Sequence, residues 1–167
     1  MMITSAGANK LLRKLEDDKQ FLLSQENAAA TYIVSEGMEP IVPDYDYRQT
    51  AQSLLEIEEK IRTVKHALNV FNSTTVLDGL GITIDTALVQ MAQLNQRKST
   101  LDTMRRRLEK ERIANYGHSN LVEYNCINYD LTEIQTDYQI INQQITDIQL
   151  ALDLTNQTKT FDLDMQL

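Results

Sequence analysis

LLEIEEKIRTVKHALNVF, residues 54–71, places Leu54, Ile57, Ile61, Val64, Leu68 and Phe71 at alternating steps of three and four. That spacing keeps one apolar stripe on one side of a helix and is the seam pattern of helices packed lengthwise. Working outward, Tyr47–Leu108 reads as two long helices joined by a turn containing Ser, Thr and Gly. On the second, Ile84, Ala87, Met91, Leu94, Leu101 and Leu108 continue the seam, with Lys98 and Arg105 at two of its positions. A long antiparallel helical hairpin over 47–108 is the expectation.

The ends of these helices are written in their capping chemistry. Asp44 or Asp46 can cap the first by accepting backbone N–H bonds. Asn72-Ser73-Thr74-Thr75 should end it, because these side chains compete for backbone hydrogen bonds. Val76–Ile82, with Gly79 and Gly81, supplies the turn. Thr83 then caps the next helix, with Asp85 favourably placed in its first turn.

Before the hairpin, residues 1–36 hold an N-terminal helix from about Ser5 to Val34, marked by Leu11, Leu12, Leu15, Leu22, Ala29 and Ile33 and ended by Glu36-Gly37. Pro40 and Pro43 make Met38–Asp46 a stiff crossing segment. After the hairpin, Val122, Tyr124 and Cys126 alternate with polar neighbours, the period of a strand, so 113–128 reads as a β region with a turn at Gly117–Asn120 and Cys126 on a buried face. Leu131, Ile134, Tyr138, Ile141, Ile145, Ile148 and Leu152 mark a last helix over 130–156, begun by Asp130 or Thr132. Residues 158–164, with Phe161 and Leu163 on one face, offer a third strand to the β region, and Asp162 and Asp164 share its other side. The fold class expected is mainly α: a coiled-coil bundle of about four helices around the hairpin, with a small antiparallel β element, as a single domain over 1–167.

A formal net charge of −8 argues against general electrostatic binding to nucleic acid or anionic membranes. No stretch approaches the roughly 20 apolar residues that span a bilayer. Lys10, Arg13, Lys14, Glu16, Asp17 and Asp18 break up the N-terminal region, so it does not read as a signal peptide. One cysteine, Cys126, can form no internal disulfide and lacks zinc-ligand companions. A cytoplasmic location without nucleic-acid or membrane partners is expected.

The residues that could carry chemistry are few. His66 has Arg62 and Val70 at i±4, so no helical ligand pair forms around it, and His118 sits among small polar residues. A catalytic base needs a nucleophile and an orienting partner, and neither is evident for either histidine. Asp78-Gly79-Leu80-Gly81 lacks the lysine of a phosphate-binding loop. The expectation is a protein without enzymatic activity, cofactor or metal. Glu58 and Arg62 read as an i,i+4 ion pair on a solvated face. Arg105, Arg106, Arg107, Lys110 and Arg112 complement a helix C-terminus among Asp102, Glu109 and Glu111. If a small anion binds, a site at a subunit interface would draw on Asn69, Asn72, Arg105 and Arg107, the guanidinium groups holding the anion.

The order of these pieces resembles a small, poorly characterised bacterial family, some members of which are called septicolysin. The resemblance rests on Val34-Ser35-Glu36-Gly37 before a Pro-containing link, Leu68-Asn69-Val70-Phe71-Asn72-Ser73-Thr74, and Thr83-Ile84-Asp85-Thr86-Ala87-Leu88. An Arg/Leu-rich helix, a short β region and a last helix ending near Thr155-Asn156 follow. It covers most of the chain through order and spacing rather than through any single motif. The long Ile-rich last helix and the extended tail depart from the pattern. The resemblance implies a mostly helical coiled-coil domain with a small β element, implies no catalytic residue, and brings a membrane-active, cytolysin-like role as an alternative.

Seam surface exceeds what one hairpin can cover. The leading functional expectation is therefore a helical scaffold or interaction protein that forms a homo-oligomer, a dimer or larger. A small-anion binder is the other alternative.

Overall fold

Asp46 settles where the long helix begins. Its carboxylate accepts from the backbone N–H of Arg48 at 2.8 Å and of Gln49 at 3.1 Å, satisfying donors that a helix start leaves unpaired. The computed structural model, which describes residues 1–113 and 122–165, contains β1 (Met2–Thr4), α1 (Ser5–Ala29), α2 (Tyr47–Thr74), α3 (Ile84–Arg105), β2 (Lys110–Arg112), β3 (Tyr124–Cys126), α4 (Leu131–Thr158) and β4 (Thr160–Asp162). The fold is mainly α with small antiparallel two-stranded sheets. The contacts divide the chain into two compact units, Met1–Thr75 with Leu154–Leu167, and Val76–Asp153.

In the first unit α1 and α2 pack antiparallel. Lys19 Nζ meets Glu58 Oε1 at 2.6 Å and Lys65 Nζ meets Glu16 Oε1 at 2.9 Å, while the Tyr45 hydroxyl donates to Glu26 at 2.9 Å. Between the helices lie Ala8, Leu15, Val64 and Leu68, joined by Leu163 from the segment after β4. Val64, Leu68 and Phe71 are buried as the seam spacing requires. β1 and β4 form an antiparallel pair, Met2 opposite Asp162, Ile3 opposite Phe161 and Thr4 opposite Thr160. The C-terminal strand thus pairs with the N-terminus and not with the 113–128 β region. Its hydrophobic partners, Ile3 and the α1–α2 core, belong to this unit.

The first helix is shorter than its apolar spacing predicts. It ends at Ala29, and Ile33 is 94% exposed. Gly37, with φ 80°, closes a turn in which Met38 N–H donates to Ser35 O at 3.0 Å, so it serves the linker and not a helix end.

In the second unit Val76 pairs with Thr83 across the α2–α3 connection. Leu77 N–H donates to Ile82 O at 2.8 Å, and the Leu77 side chain is fully buried. Thr83 Oγ1 accepts from Thr86 N–H as the cap of α3. Asp130 Oδ1 accepts from Thr132 and Glu133 N–H as the cap of α4. α3 buries Ile84, Ala87 and Leu101, and α4 buries Ile134, Ile145 and Ile148. Lys98 and Arg105 occupy seam positions of α3 because Tyr138 of α4 gives them an aromatic face, 5.7 and 4.2 Å from its ring centroid. β2 and β3 pair antiparallel, with Glu111 opposite Asn125. Both are exposed throughout, so Cys126 is an exposed thiol and not a residue of a buried face. His118 and the turn at Gly117–Asn120 lie outside the described residues.

Candidate functional site: a cleft between α2 and β4

Within the first unit, the C-terminal half of α2 and the run Thr158–Asp164 wall a cleft of about 1120 Å³. The residues that face it follow from two periodicities. On α2, Arg62, His66, Val70 and Thr74 recur every four residues and form one stripe. On β4, side chains alternate: Phe161 and Leu163 turn to the core, while Thr160, Asp162 and Asp164 are exposed. Phe161 packs on Phe71 at 4.7 Å between centroids and gives the cleft an aromatic floor.

The charges are arranged unevenly. Glu58 makes its direct ion pair with Lys19, and Arg62 acts on it by charge at longer range. The Lys19 hydrogen bond and charge keep the Glu58 carboxyl below the ordinary glutamate value. Among the described residues, Arg62 and His66 make no ion pair, and both are exposed. Opposite them, Asp162 Oδ1 accepts from the Met1 amino group at 2.8 Å. The hydroxyls of Thr63, Thr74 and Thr158 donate back to the carbonyls of Glu59, Val70 and Leu154, which leaves their lone pairs to the cleft. Aromatic carbon, a guanidinium, an imidazole and several acceptors, with Lys159, Asp162 and Asp164 in the same lining, make a surface suited to binding.

β4 also brings a backbone edge. Leu163 N–H donates to Met1 O at 2.9 Å, and Met1 N donates back to Leu163 O at 2.7 Å. In the register given above, Phe161 therefore bonds to Ile3, while the N–H and C=O of Thr160 and Asp162 point away from β1. No residue of β1 lines the cleft and all of Thr158–Asp164 do, so the cleft runs along this edge, which no strand among the described residues pairs.

The residues singled out from sequence are divided. Asn69 is exposed and Asn72 half-buried on α2, in the first unit, and neither lines the cleft. Arg105 and Arg107 belong to the second unit. The Arg105 guanidinium is engaged by Asp102, with Nε and Nη2 at 2.8 and 2.7 Å from Oδ1, and lies over Tyr138. The Asp102 hydrogen bond raises its already high pKa further. Arg107 lines a smaller cavity of about 420 Å³ with Glu111, Cys126 and Tyr129. Sequence reasoning passed over Arg62 and His66 as a binding pair. Their one local signal is the four-residue step to Val70 and Thr74.

No family model matches the sequence, and no curated protein matches it. The fold is similar to that of a crystal structure described as a functionally unknown conserved protein from Corynebacterium diphtheriae. That likeness has a TM-score of 0.63 at 16% identity and covers 97% of this chain and 100% of the other. At that identity the fold is what the two share. Among the described residues no helix is long and apolar enough to cross a membrane, and no group of three or more His, Cys, Asp or Glu is placed to hold a metal ion.

Proposed function

We propose that the protein is a non-enzymatic helical interaction protein that works as a self-associated scaffold, a homodimer at minimum. The observation that carries this reading is the linker between α1 and α2. Tyr32, Ile33, Val34, Met38, Ile41 and Val42 all lie within it and are 49–94% exposed. Among the described residues, backbone–backbone hydrogen bonding over 31–45 is limited to Met38 N–H donating to Ser35 O. Six large apolar side chains on one short segment form the kind of patch that soluble proteins cover with a partner. Tyr47 and Leu55, on the part of α2 that follows the linker, are exposed as well. Sedimentation equilibrium across a concentration series tests the proposal: a mass of twice the chain or more supports it, and a monomer throughout contradicts it.

A second reading draws on Arg62 and His66, which lack ion-pair partners among the described residues and face the cleft. A small anion held there would give measurable heat on titration with inorganic phosphate. No heat, or heat unchanged in Arg62→Ala, removes this reading.

A further inference from the structure

We infer that the two copies associate by arm exchange: residues Thr31–Ser35 of one copy lie as an added strand along the unpaired edge of β4 in the cleft of the other. The inference rests on the self-association proposed above and names its contact.

Among the described residues the receiving edge is formed and has no strand partner. Thr160 and Asp162 present backbone N–H and C=O groups away from β1, into a cleft floored by Phe161. An exposed strand edge is a template for another extended segment, which gains main-chain hydrogen bonds along its length. The arm suits that role in composition. Thr31-Tyr32-Ile33-Val34 is β-branched or aromatic throughout, and its backbone groups have no partners among the described residues. In an extended strand Tyr32 and Val34 share one side, which matches the apolar floor.

Geometry decides which copy is occupied. Ile33, four residues beyond Ala29, reaches at most about 14 Å from the end of α1. Thr160, on the edge itself, lies opposite Thr4 at the start of α1, 25 residues and about 38 Å back from Ala29 at roughly 1.5 Å per residue, beyond the reach even of Ser35. The arm therefore cannot fill its own cleft. A two-fold arrangement solves this at a stroke: with two α2 helices side by side and antiparallel, each arm end meets the other copy's cleft end, and the contact is made twice. Leu55 and Val70, both exposed on α2 and about 60° apart around it, flank the shared face.

Disulfide trapping tests the contact. In a Cys126→Ser background, protein carrying Ile33→Cys is mixed with protein carrying either Val70→Cys or Thr160→Cys and oxidised under native conditions. A third mixture, with Gln149→Cys, an exposed position of α4, gives the baseline. Arm exchange predicts linked heterodimers with one of the two cleft positions, formed faster than baseline by on the order of tenfold or more, because docking raises the effective concentration. Baseline trapping at both cleft positions overturns arm exchange. If light scattering of the same samples shows a dimer, self-association survives through another surface. If it shows a monomer, that reading falls too, and the cleft is left to a different ligand.

Discussion

Phe71 of α2 and Phe161 of β4 meet with ring centroids 4.7 Å apart and planes inclined by 33°. The contact joins residues 90 positions apart and ties the C-terminal strand to the helix that forms the other cleft wall. Phe71 is 6% exposed, so truncating it removes a large buried surface and opens a cavity. Phe71→Ala should lower the unfolding free energy by about 3 kcal/mol. Urea denaturation measures this, and a loss below about 1 kcal/mol would show that the floor of the cleft is not packed as described.

Leu77 anchors the connection between α2 and α3. Its side chain is fully buried, and its backbone bonds to Ile82, Leu80 and Gly81. Leu77→Ala should cost about 3 kcal/mol by the same transfer and cavity terms. Gly81→Ala acts on the same connection through the backbone, because φ at Gly81 is 67°, where an L side chain is strained. Thermal melts should place both variants below the parent, and a Leu77→Ala protein that melts with the parent would contradict the anchoring role.

Three carboxylates set the response to acid. Glu58 is held below its ordinary value by the Lys19 hydrogen bond and charge, and Asp102 by Arg105 and then Arg106. Asp130 is lowered by the backbone N–H groups of Thr132 and Glu133. A group whose folded pKa is depressed contributes stability that is complete above its unfolded pKa and is lost as pH falls through the folded one. The melting temperature should thus hold from neutral pH to about pH 5 and fall steadily below about pH 4. Asp130→Asn should melt lower at neutral pH and show a shallower acid decline. A melting temperature unchanged down to about pH 3 would refute this account.

The helices were legible because their signals are local. Val64, Leu68 and Phe71 on α2, and Ile134, Ile145, Ile148 and Leu152 on α4, are buried at the positions their three-four spacing marks. Asp46, Thr83 and Asp130 cap where short-range chemistry places caps. The β1–β4 sheet was not legible. β1 is three residues long, too short to show a period, and its partner lies at the far end of the chain. Cys126 misled for a related reason: alternation marks a strand but does not say that anything covers it, and here nothing described does. The cleft depends on Thr158–Asp164 returning to Arg62 and His66, a long-range meeting that spacing alone does not encode. Residues 30–34 show the opposite failure. Ile33 continues the apolar spacing of α1, yet the helix stops at Ala29 and leaves it exposed.

Self-association through the linker is the central claim, and light scattering of two proteins at matched concentration tests it most directly. One is the parent chain; the other carries Ile33→Asp and Ile41→Asp, at positions 94% and 90% exposed that contribute nothing to the folded core. The account predicts a dimer or larger for the parent and a monomer for the variant, with unchanged helical content by circular dichroism. A monomeric parent, or a variant that keeps the parent's mass, would contradict it.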